Sequence, residues 1–128
     1  MNNMWRGAVL ICALLNVLPV SGQGLALERL MRKKLVTSQK ILEAVVTSDW
    51  VSLEEQSRDL EALTNDPAWM VLKKPEYARH SDAFKTAVRG LHDAAAKRDL
   101  EATPQAYVAL TMSCVECHRY LARNRIAR

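Results

Sequence analysis

The segment Cys114-Val115-Glu116-Cys117-His118 lies near the C-terminal end of the sequence and has the pattern C-x-x-C-H, which is typical of covalent c-type haem attachment. On a helix the two thiols and the imidazole share one face, because side chains three and four positions apart are neighbours along the axis. One porphyrin can therefore meet all three groups. We expect Cys114 and Cys117 each to form a thioether with a haem vinyl group. His118 is expected to bind the iron as its proximal ligand.

Two other chemistries use a C-x-x-C pair. A thiol-redox site is expected in a βαβ setting, and a zinc site needs a further pair of ligands at a suitable spacing. The sequence shows no strand pattern, and the other histidines, His80 and His92, lie far upstream of the pair. The pattern therefore favours haem, with a haem-free dithiol oxidoreductase and a zinc site as alternatives.

The N-terminal residues have the pattern of a secretory signal peptide. Arg6 supplies a positive charge, and residues 8–20 form an apolar stretch that is shorter than the roughly 20 residues needed to span a bilayer. We expect residues 1–22 to be a cleaved signal peptide and residues 23–128 to form one domain without a membrane span. Cys12 leaves with the signal, so both remaining cysteines belong to the haem motif. Because haem is attached to such motifs outside the cytoplasm, we expect a periplasmic protein.

The composition argues against several functional classes. The formal net charge is +4, 49 % of the residues are hydrophobic and the mean hydropathy is −0.13, values that suit an ordinary globular domain. So small a charge does not favour nucleic acid as a partner. The sequence also lacks paired carboxylates, nucleophile triads and glycine-rich phosphate loops, so we do not expect an enzyme.

The hydrophobic spacing predicts four helices and no strand. The first helix is predicted at residues 25–48, and the second begins at a capping box formed by Ser52 and Glu55 and ends at residues 65–67. The third helix runs from Pro75 to Ala96. The fourth is capped by Asp99 or Thr103. The apolar connector of residues 65–75 is expected to fold over the core. Short connections between the helices predict an antiparallel four-helix bundle, in which cofactors lie between helices.

A C-x-x-C-H motif on the last helix of a four-helix chain resembles the cytochrome c′ family, also called class II cytochromes c. The resemblance covers about residues 25–128 and rests on the helix order and on Thr111-Met112-Ser113-Cys114-Val115-Glu116-Cys117-His118, supported by residues 75–80 and 106–111. It implies an all-α antiparallel four-helix bundle that carries one covalent haem c, with its iron, on the C-terminal helix. It also implies an exported protein with an unidentified redox partner protein, and a homodimer formed through helices 1 and 2.

The second axial ligand separates the two functions known in that family. Members with a methionine of the first helix on the iron carry electrons, whereas members with an apolar residue there leave the iron open to nitric oxide or carbon monoxide. Met31 and Leu35 lie one turn apart on the inward stripe of the first helix. We expect Met31 to be the distal iron ligand and Leu35 to lie beside it. Tyr107 and Thr111 are expected to pack under the edge of the macrocycle.

Several basic residues lie close to these positions. We expect Lys33 and Lys34, which flank the inward stripe, to be solvated. Arg29 and Arg32 of the first helix are candidates to pair with haem propionates, although a surface helix explains them equally well. A basic tail follows the proximal histidine and can pair with propionates or steer an acidic partner; its members are Arg119, Arg123, Arg125 and Arg128.

The sequence thus predicts a periplasmic mono-haem c-type cytochrome that works as a one-electron carrier. The alternative is a five-coordinate haem protein that binds nitric oxide or carbon monoxide, with Leu35 guarding the distal face.

Overall fold

The computed structural model describes residues 22–70, 72–124 and 126. The expected signal peptide lies outside the described residues except for its last residue, Gly22. The helices are α1 (Gly22–Thr47), α2 (Trp50–Ala62), α3 (Pro75–Ala96) and α4 (Ala102–Arg123), and two short 3₁₀ turns, Leu63–Asn65 and Pro67–Met70, follow α2. The prediction of an all-α fold with four helices is therefore confirmed for this part of the chain, which contains no strand. None of the helices described is both long and apolar enough to cross a membrane.

The start of α2 differs from the prediction. The helix begins at Trp50, before the expected Ser52, because the Asp49 carboxylate accepts hydrogen bonds from the Ser52 backbone N–H at 3.1 Å and from its hydroxyl at 2.7 Å. An aspartate in this position satisfies an amide that has no partner within the helix. Ser52 is therefore a donor to the cap and not the cap itself.

The starts of α3 and α4 agree with the sequence. Pro75 occupies the first turn of α3, where its missing N–H is not needed. Before α4, Oδ1 of Asp99 accepts the backbone N–H groups of Glu101 and Ala102 at 3.0 and 2.9 Å. These hydrogen bonds fix the beginning of α4, and the cysteine motif follows about three turns later.

The core lies between helices that follow one another along the chain: α1 packs on α2, α2 on α3 and α3 on α4. Its largest fully buried apolar side chains are Phe84, Ile41, Leu53, Leu60, Leu91, Leu110 and Val88. The turn Pro67–Met70 packs on α1, and Trp69, which is 3 % exposed, stacks on Phe84 with 5.1 Å between ring centroids. The connector thus folds over the core as predicted. Direct contact between α1 and α4 is sparse, which leaves a groove between them.

Two substitutions in α2 test this packing. Leu53 is 0 % exposed and Val51 is 74 % exposed, so Leu53→Ala leaves a cavity whereas Val51→Ala removes only surface. We expect Leu53→Ala to lower the free energy of unfolding by about 2–5 kcal/mol. Val51→Ala is expected to change it by no more than about 0.5 kcal/mol. Denaturant titration of both variants measures this, and equal losses would contradict the orientation of α2.

Candidate functional site

A cavity of about 790 Å³ lies between α1 and α4. Such a volume is in the upper part of the range of roughly 300–1,000 Å³ that is usual for small-molecule and cofactor sites. Six of the residues predicted for the site line it: Met31, Leu35, Tyr107, Thr111, Cys114 and His118. The two helices therefore bring the predicted residues to one place, although Met31 and His118 are far apart in the sequence.

The cysteine motif lies in the last three turns of α4. Both thiols are free and half-buried, and the His118 imidazole is exposed and lines the cavity. Cys117 does not line the cavity. Burial raises the pKa of the Cys117 thiol, while the Lys34 charge acts in the opposite direction. The two thiols thus lie in different surroundings: Cys114 lines the cavity and packs against the hydrophobic core, whereas Cys117 lies outside the cavity lining.

The α1 wall of the cavity is formed in part by Met31 and Leu35. Met31 is half-buried and packs against the hydrophobic core, whereas Leu35 is 59 % exposed. Such an exposed leucine at the cavity would be covered by an apolar ligand bound there, which would remove its surface from water.

Tyr107 joins the two walls. Its hydroxyl donates a hydrogen bond to the Ser38 carbonyl oxygen of α1 at 3.2 Å, and burial raises its pKa. Thr111 uses its own hydroxyl within α4, where it donates to the Tyr107 carbonyl oxygen at 3.0 Å. Tyr107 therefore fixes the distance between α1 and α4 at this end of the cavity, and Thr111 adds a short side chain to its wall.

The expectation that Lys34 is solvated is wrong. Its residue is 7 % exposed, and Nζ lies 3.7 Å from the ring centroid of Phe84 and 4.7 Å from that of Trp69. Burial lowers the pKa of Lys34, and the neighbouring Cys114 and Cys117 sulfurs oppose that shift. The signal was in the sequence, since Lys34 follows Leu30 by four positions and precedes Ile41 by seven, on the same helical stripe.

Charged groups surround the mouth of the cavity. Glu28, Arg32 and Arg119 line it, and the Arg32 guanidinium lies 3.8 Å from the Glu28 carboxylate. Arg29 instead donates to the Leu25 carbonyl oxygen of its own helix at 3.3 Å. Of the basic tail, Arg125 and Arg128 lie outside the described residues. Arg32 and Arg119 are therefore the cations placed to meet an anionic group at the mouth.

The remaining histidines lie away from the cavity. His80 stacks on Tyr120 with 5.1 Å between ring centroids, and Nε2 of His92 accepts a hydrogen bond from Arg58 at 3.4 Å. Neither histidine lines the cavity. Among residues 22–70, 72–124 and 126, no group of three or more His, Cys, Asp or Glu side chains is arranged to hold a metal ion.

The chemistry of the lining suits a covalently tethered haem. The Cys114 thiol and the His118 imidazole line a cavity of about 790 Å³, and Cys117 follows Cys114 by three positions on the same helix. Arg32 and Arg119 add cations that suit the carboxylates of such a cofactor. Comparison of the chain with protein-family models, with curated proteins and with solved structures finds no match.

Proposed function

We propose that the protein is a periplasmic mono-haem c-type cytochrome that works as a one-electron carrier. The observation that carries the proposal is that Cys114 and His118 of the C-x-x-C-H motif line the same cavity as Met31 from the other end of the chain. When bound, haem supplies an iron that alternates between two oxidation states. The protein's part is to hold, orient and enclose it.

Each residue of the site has a distinct task in this proposal. The sulfurs of Cys114 and Cys117 tether the cofactor, and the His118 imidazole is the proximal iron ligand. Met31, on the α1 wall, is the distal ligand, with Leu35 beside it. Tyr107 holds the walls together through its hydrogen bond to Ser38, 3.2 Å long, and the four helices run antiparallel as in other cofactor-binding bundles.

The surface around the cavity favours an acidic redox partner protein. Arg32 and Arg119 line the mouth, and positive charge there attracts acidic surfaces during diffusional encounter. Exposed apolar side chains lie elsewhere on α1 and at the start of α2, among them Leu42, Val46 and Val51. We propose that a homodimer forms through this surface of α1 and α2, because pairing would remove these side chains from water.

One observation favours a second function. Leu35 lines the cavity one turn from Met31, so an apolar side chain is available on the distal wall. If Leu35 and not Met31 covers the iron, the protein is a five-coordinate haem protein that binds nitric oxide or carbon monoxide.

The cofactor itself can be tested with the full chain, expressed with its own N-terminal segment in a host that matures c-type cytochromes. We expect a coloured protein whose mass exceeds that of the polypeptide by one haem, and a pyridine haemochrome spectrum typical of two thioether bonds. A colourless product with the mass of the bare polypeptide and two titratable thiols would refute the proposal and favour a dithiol oxidoreductase.

A further inference from the structure

Lys34 is the one charged residue among the buried residues of the described chain. Its ammonium group lies over two aromatic faces, 3.7 Å from the Phe84 centroid and 4.7 Å from the Trp69 centroid. Within the described ranges its ammonium group forms no ion pair with a carboxylate. An uncompensated buried charge is costly, so its position calls for a physical account.

The aromatic pair that receives this cation is held firmly. The indole N–H of Trp69 donates to the Ser81 hydroxyl at 3.0 Å, and the Tyr77 hydroxyl donates to the Trp69 carbonyl oxygen. The electron-rich faces of such rings attract a cation, and the attraction is stronger when the pair is removed from water. The rings thus favour the charged form of Lys34, whereas burial opposes it.

Lys34 also belongs to the candidate haem site. It lines the cavity together with Cys114 and His118, and its charge acts on the sulfurs of both Cys114 and Cys117. Once those sulfurs are thioethers they carry no charge, so the ammonium group keeps no anionic neighbour among them. Because Lys34 lies in a region of low dielectric, its positive charge then acts with little screening on a cofactor attached to the motif.

We propose that Lys34 is a built-in electrostatic control that raises the reduction potential of the cofactor attached to Cys114 and Cys117. The inference rests on the proposed haem function. Reduction adds one electron, supplied by a reduced partner protein or in the laboratory by dithionite, and lowers the charge of the site by one. A nearby fixed cation stabilises the product of that step more than the reactant, because opposite charges attract and like charges repel.

The test replaces the charge without removing the bulk. In the haem-loaded full chain, Lys34→Met keeps a long apolar side chain between the aromatic faces, and Lys33→Met removes the same charge from an exposed position on the same helix. At a fixed applied potential we expect Lys34→Met to lower the ratio of reduced to oxidised protein about tenfold, equivalent to about 59 mV for a one-electron couple. Lys33→Met is expected to change that ratio by less than about twofold, and less still at high salt.

Potentiometric titration followed by haem absorbance gives these ratios, and titration at low and at high salt separates a buried charge from a solvated one. Lys34→Gln, a smaller neutral variant, replaces Lys34→Met if that protein does not mature, with the same result expected. A haem-loaded neutral variant whose potential equals or exceeds that of the wild type would overturn the inference, as would an equal shift in Lys33→Met. Failure of the wild type to acquire haem would overturn the proposed function instead.

Discussion

Replacing both thiols, in the double variant Cys114→Ser, Cys117→Ser, is expected to abolish covalently bound haem. A thioether needs a thiol to add across each vinyl group, and a serine hydroxyl does not supply one. His118 can still coordinate iron, but a coordinate bond is reversible and does not survive denaturation. After denaturing gel electrophoresis we expect haem staining of the wild type at the position of the polypeptide and none of the variant, with intact masses that differ by one haem.

The single variants refine this prediction, because the structure distinguishes the two cysteines. Cys114 lines the cavity, whereas Cys117 lies outside the lining and burial raises the pKa of its thiol. We therefore expect Cys117→Ser to retain more covalent haem than Cys114→Ser, through the remaining thioether. Met112→Ala is the matched control, since it removes an exposed sulfur-containing side chain from the same helix. Haem bound covalently in the double variant would show that the attachment does not use this motif.

Local features account for the parts of the fold that the sequence predicts well. The spacing of Leu30, Ile41 and Leu53, together with the helix end before Pro67 and the helix start at Pro75, is a property of short segments. Helical periodicity and chain breakers act over a few residues, so they can be recognised without knowledge of the tertiary structure. The start of the second helix is predicted less well, because Ser52 and Glu55 have the pattern of a capping box whereas the Asp49 carboxylate provides the cap.

The candidate site depends on longer-range geometry. The cavity exists because α1 and α4 stand apart, and the distance between these two helices is not determined by any short segment of the sequence. The rotation of α4 that turns Cys114 toward the cavity and leaves Cys117 outside its lining is likewise set by packing.

The wrong prediction for Lys34 also has its cause in the tertiary structure. The spacing of Lys34 from Leu30 and Ile41 fits the inward stripe, but because lysine is charged we expect it beside the stripe and in solvent. A partner that offsets burial, here the faces of Trp69 and Phe84, is recognisable only after the connector has folded back.

Met31→Ala is expected to convert the haem-loaded protein from a six-coordinate to a five-coordinate state. Met31 is half-buried on the α1 wall of the cavity that His118 lines from α4, and its thioether is the distal ligand in the proposed function. Alanine is too short and has no donor atom. We expect the ferric spectrum to lose the methionine–iron charge-transfer band. The reduced variant should bind one carbon monoxide per haem, where the reduced wild type binds none.

Leu35→Ala is the matched control for this substitution, because it enlarges the same wall of the cavity one turn further along α1 without removing a sulfur. We expect it to keep the methionine–iron band and to remain closed to carbon monoxide. The pyridine haemochrome spectrum should show equal covalent haem in both variants, since neither substitution touches the thiols. A wild type that lacks the band and already binds carbon monoxide would exclude Met31 as a ligand. The gas-binding function would then follow, because Leu35 would be the side chain that controls access to the open position of the iron.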